Sequence, residues 1–104
     1  MTKKQLIGAY NFNEGTIRYK RDLIFLTDID NKVLKVLLNN YNKVVKTETL
    51  CKRVYGQELD DQYCMAIRVA ISRLRNKIYD FAEIQCKRSF GYRLIMKGKN
   101  QWQK

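Results

Sequence analysis

The side chains able to do chemistry in this sequence are cations and small hydrogen-bonding groups, and they recur at one spacing. Within DDQYCMAIRVAISRLRNKIYD, from Asp60 to Asp80, a period of 3.6 residues gathers Met65, Val69, Ser72, Arg73 and Asn76 on one side. Arg68 and Lys77 flank them. The opposite side gathers Cys64, Ile67, Ile71, Leu74 and Ile78, with Tyr63 and Ala70 at its edge. One long helix, 60–80, is therefore expected to bury the second face and present the first. No acidic residue occurs from Gln62 to Tyr79, whereas a merely solvated helix face mixes both signs, because opposite charges at i and i+4 support one another. A cationic face with hydrogen-bonding groups suits a DNA major groove, where base edges offer acceptors and phosphates line both rims. Taken alone, this helix leaves a solvated basic face as an even alternative.

Composition weighs on that choice. The 104 residues carry 21 Lys and Arg against 10 Asp and Glu, a net charge of +11. Such an excess in one small domain points to a polyanionic partner. There is no histidine, and no nucleophile–base pair, phosphate loop or metal cluster can be assembled, so an enzyme is not expected and no cofactor or metal is called for. Cys51, Cys64 and Cys86 are far apart and odd in number, which argues against a disulfide framework or a zinc site. They read as reduced, buried thiols of a cytoplasmic protein, with a reactive thiol at Cys86 as the minor alternative. No apolar run approaches the ~20 residues of a membrane span, so no membrane partner is expected.

The elements that must position the helix precede and follow it. LIGAYNF, GTIRYK and DLIFL, between Leu6 and Leu26, read as strands of a small antiparallel sheet, with turns at Asn13-Glu14-Gly15 and Arg21-Asp22. Thr27 caps a helix whose inward stripe is Ile29, Val33, Leu34, Leu37 and Leu38, with Asp28 and Asp30 at its positive end. Thr47 caps a second helix, closed by Gly56, with Leu50, Cys51 and Val54 inward. Gln57 to Asp60 is a loop. After the long helix, IQCKRSFGYRLI reads as a hairpin with Lys87 and Arg88 at its tip. The expected organisation is a basic arm over 1–7, one domain over 8–96 and a basic, flexible tail over 97–104. The expected fold class is α+β: a winged helix-turn-helix with an N-terminal antiparallel sheet, three helices and a C-terminal hairpin wing over 84–95.

LTDIDNKVLKVLLNN, KVVKTETLCKRVYG, IRVAISRLRNKI and the closing FGYRL together resemble the C-terminal effector domain of OmpR/PhoB-type response regulators, over about residues 8–96. The resemblance implies a third helix in the major groove and a wing at the adjacent minor groove. It implies base readout by Arg68, Val69, Ser72 and Arg73, a minor-groove approach by Arg88, and a phosphate contact at Thr47. Asn76, Lys77 and Lys87 complete the expected DNA-binding set. Arg75 matches the second arginine of the family's LR motif. Its place near the apolar stripe leaves a structural ion pair and a phosphate contact equally open. Phe90 is more often packing than a base wedge. The resemblance further implies a second protomer on direct repeats and contact with RNA polymerase through the loop 57–60.

This sequence departs from the family pattern in three ways. Arg68 stands where an acidic residue is common, so the family's base preference is not carried over. Ser89-Phe90 occupies a stretch where another glycine is common. The match leaves no receiver domain in this chain, so control by phosphorylation is not implied. The reading is sequence-specific binding of double-stranded DNA in transcription regulation. The rivals are an accessory factor for recombination, replication or partition of a mobile element, and a winged helix used as a protein-interaction module. The charge of +11 and the one-signed face argue against the last.

Overall fold

In the computed structural model of the chain, residues 1–56 and 61–97 are described, with residues 61–64 described by their backbone alone. The chain opens with a helix, α1 (Lys3–Ala9), rather than a strand. The cause is local. Thr2 Oγ1 accepts from Gln5 N while Gln5 Oε1 accepts from Thr2 N, a capping box that satisfies two otherwise orphaned amides. Leu6 is then fully buried. The expected strand over 6–12 shrinks to β1 (Tyr10–Asn11), and residues 3–7 of the expected arm are helical. Strands β2 (Thr16–Tyr19) and β3 (Asp22–Phe25) complete an antiparallel meander in the order β1-β2-β3. Tyr19 pairs with Asp22, so the β2–β3 turn is Lys20-Arg21, one residue earlier than expected.

Helix α2 (Asp28–Asn39) starts at Thr27, whose hydroxyl accepts from Asp30 N. Val33, Leu34, Leu37 and Leu38 face inward as the periodicity requires. Asn31 ties α2 to the first sheet: its amide donates to Phe12 O, and the Tyr10 hydroxyl donates to Asn31. Burial pushes the Tyr10 phenol well above its ordinary pKa, which keeps it a donor.

Strand β4 (Val45–Lys46) leads straight into α3 (Thr47–Tyr55), and Gly56 closes α3 at φ 78°. Helix α4 (Asp61–Lys77) buries Ile67, Ala70, Ile71 and Leu74 against α2 and α3, with Ile78 just beyond its end. Among the described residues there are four helices, one more than expected, because of α1. Strands β5 (Ala82–Lys87) and β6 (Gly91–Met96) form the terminal hairpin. The order β4-β6-β5 makes β6 the central strand, so the segment before α3 is stitched to the hairpin. Gly91 permits this. A β-carbon there would lie 2.0 Å from Val45 O, so only glycine lets the two backbones approach. One apolar core runs from Leu6 and Ile17 through the three long helices to Phe81, Ile84 and Leu94.

Candidate nucleic-acid interface

Helix α4 and the β5–β6 wing face one another across a cleft of about 450 Å³. Thr47 from α3, Arg68 and Arg75 from α4, and Lys87, Arg88 and Phe90 from the wing line it. Three elements distant in sequence thus converge because β4 carries the start of α3 to the wing: Lys46 pairs with Gly91, and Thr47 N donates to Phe90 O at 3.1 Å. Thr47 is the first helical residue of α3 and Lys46 is its N-cap, with no side-chain capping bond. The cap expected at Thr47 is corrected accordingly, and one amide of that helix end is already spent on the wing.

The cations divide into free and committed groups. Arg68 and Arg88 are exposed and make no hydrogen bond or ion pair among the described residues. Lys87 lies 5.3 Å and Lys46 5.6 Å from the centre of the Phe90 ring, so the wing tip is an exposed aromatic between two cations. Arg73 and Lys77 differ. Asp30 on α2 is fully buried, and Arg73 Nη2 and Lys77 Nζ reach its two oxygens at 3.1 and 3.3 Å. Arg73 Nε adds a bond of 3.4 Å. Arg73, expected on the outer face as a base-reading residue, thus also has a structural duty: its side chain is 43% exposed, but it neutralises a buried carboxylate. Arg75 sends both Nε and Nη2 to Ile84 O, at 3.2 and 2.9 Å. Its partner is a backbone carbonyl on β5, neither a carboxylate nor free solvent, and it fixes the wing's position relative to α4.

Outward between these edges stand Met65, Val69, Ser72 and Asn76, all exposed, as the helical period requires. Cys51 is buried, but Cys86 is exposed and lines the cleft, unlike the buried thiol expected. The inward placement of Tyr63 and Cys64, the loop 57–60, and the tail beyond Lys97 fall outside the described residues or side chains. Asp30, Asn31 and Lys46 were not among the expected site residues. Asp30 had a signal: it falls on the apolar stripe of Val33, Leu34 and Leu37, where a carboxylate must find a partner.

A family described as "Transcriptional regulatory protein, C terminal" matches residues 21–94. The chain belongs to this family. It is accordingly a DNA-binding transcription-regulator domain of the OmpR/PhoB type, not an enzyme. Among solved structures, it is similar to the C-terminal domain of the nisin resistance regulator NsrR, a lantibiotic response regulator. That match has 27% identity and a TM-score of 0.66, over 82% of this chain and 89% of that one. The DNA-binding domain of CpxR from E. coli is 25% identical, with a TM-score of 0.69 over 82% and 86% of the two chains. The C-terminal DNA-binding domain of RstA from Klebsiella pneumoniae shares the fold, at 24% identity and a TM-score of 0.62 over 77% and 76%. No curated protein matches the sequence significantly. The winged-helix arrangement of this OmpR/PhoB-type domain is thus common to all three. Among the described residues, no helix is long and apolar enough to cross a membrane, and no group of three or more His, Cys, Asp or Glu could hold a metal ion.

Proposed function

We propose that this domain binds duplex DNA sequence-specifically, with α4 in the major groove and the β5–β6 wing at the adjacent minor groove, and regulates transcription from the bound site. The observation that carries the reading is the cleft in which Arg68, Lys87 and Arg88 converge with the N-terminus of α3. Arg68 and Arg88, which make no hydrogen bond or ion pair among the described residues, are held on two separate elements and suit two phosphate-lined grooves better than one compact anion. Ser72 and Asn76 supply donors and acceptors for base edges, and Arg68 supplies a bidentate donor for guanine. Arg73 and Lys77 contribute by position as much as by charge, since Asp30 sets where both heads lie. A second protomer on a direct repeat, and RNA polymerase at residues 57–60, belong to the same reading.

The groove assignment is tested at the wing. Arg88→Ala is expected to weaken binding most where the flank is A·T-rich, because a narrow minor groove concentrates negative potential. Equal losses on A·T-rich and G·C-rich flanks would remove the minor groove from the account.

A further inference from the structure

Two large apolar side chains stand on the face of α4 that core packing leaves unused. Met65 is 58% exposed and Val69 49%. They are four residues apart, so they share the outward stripe with Ser72 and Asn76. Water and phosphate alone give such a face no use for a thioether and an isopropyl group. The neighbouring cations limit what else the stripe can offer. Arg73 and Lys77 are bound to Asp30, and Arg75 is bound to the Ile84 carbonyl. From its N-terminal end the stripe presents two apolar groups, a hydroxyl and an amide, with Arg68 as the cation free of a protein partner among the described residues.

In the major groove the one apolar group on a base edge is the C5 methyl of thymine. Residues at i and i+4 have β-carbons ~6 Å apart. Two base-pair steps along one strand span roughly 7 Å, at about 3.4 Å each. The two spacings agree.

We propose that Met65 and Val69 are a methyl-reading pair, selecting two thymines about two base pairs apart through their C5 methyl groups. This rests on the reading of α4 as the element in the major groove. It adds a specificity that the cations cannot supply, because phosphates are the same at every base pair and a guanidinium prefers guanine. The adjoining hydroxyl and amide then read the following base pairs.

The experiment selects an operator from a random duplex pool with the full chain, then replaces each thymine in turn by deoxyuridine. This removes the methyl and keeps the base pair. Affinity is read by fluorescence anisotropy at fixed salt. Two replacements are expected to cost about fourfold each, the worth of one buried methyl. Val69→Ala should abolish the effect at one of them and Met65→Ala at the other. Both residues are exposed, so both variants should melt like the parent, and Arg68→Ala should leave the uracil effect in place. A defined operator that tolerates uracil at every thymine overturns the pair while the groove reading stands. Methyl losses unchanged in both alanine variants overturn it as well. Failure to select any operator sinks the groove reading and the pair together.

Discussion

Arg68 and Arg73 lie five residues apart on one helix and are both cationic, yet the structure gives them different duties. Arg68 has no partner among the described residues, so Arg68→Ala is expected to change stability by less than ~0.5 kcal/mol and to cost binding ~1–3 kcal/mol. Arg73→Ala takes a charge-assisted bond from a buried carboxylate and leaves Lys77 alone on Asp30. It is expected to cost stability about 1–2 kcal/mol, the lower range for a bond to a charged group because Arg73 is half exposed. Urea titration beside anisotropy separates the two. Equal stability losses in the two variants would show that the ion pair carries nothing. Periodicity alone put both residues on the outer side, because a wheel reports direction and says nothing of which neighbour a long side chain reaches. A second test at this scale concerns Tyr10. Its phenol is raised by burial, so the folded state holds the proton more tightly than the unfolded one. The stabilisation is therefore complete below the ordinary tyrosine value of ~10 and is lost as pH rises beyond it. The stability difference between the parent and Tyr10→Phe should be constant from pH 7 to 9 and shrink toward pH 11. A difference that grows over that range would contradict the assignment.

At the scale of elements, α2, α3, α4 and the wing were legible because each buries a stripe whose period the sequence prints. Helix α1 was not. LIGAYNF reads equally well as a short strand, and what decides is the Thr2–Gln5 capping box, a signal just upstream that apolar patterning ignores. The role of β4 was equally hidden: two residues carry no period, and their pairing to β6 is a contact between segments some 45 residues apart. Its trace in the sequence is Gly91, which makes a prediction. Gly91→Ala drives a β-carbon into Val45 O and should cost about 3 kcal/mol, the upper range for overpacking. Because β4 positions the start of α3, the folded fraction should also bind DNA less well. Thermal melting with anisotropy on the folded fraction checks this, and an unperturbed melting temperature would show that β4 yields freely. Ser89 sits at φ 61° in the wing turn, a conformation that favours glycine. Ser89→Gly should stabilise by a few tenths to about 1 kcal/mol without loss of binding, read in the same melts. Destabilisation would mean that the serine side chain holds the turn.

For the whole molecule, the charge of +11 is spread over several elements and only part of it faces the cleft. Arg68, Lys87 and Arg88 line that surface, and Lys46 flanks it beside Phe90. With the Asp30-bound pair beside them, about four to six phosphates could be neutralised per protomer, for a log–log salt slope of roughly −4 to −5. A protein that merely coats DNA would share that slope, so salt dependence alone decides little. The most direct test of the central claim is the ratio of affinities for a selected operator and its scramble, measured by fluorescence anisotropy across a salt series. Base readout from α4 predicts a ratio of at least ~10³ at fixed salt. A steep slope with a ratio near one would contradict sequence-specific binding, and a flat slope would remove duplex DNA as the partner.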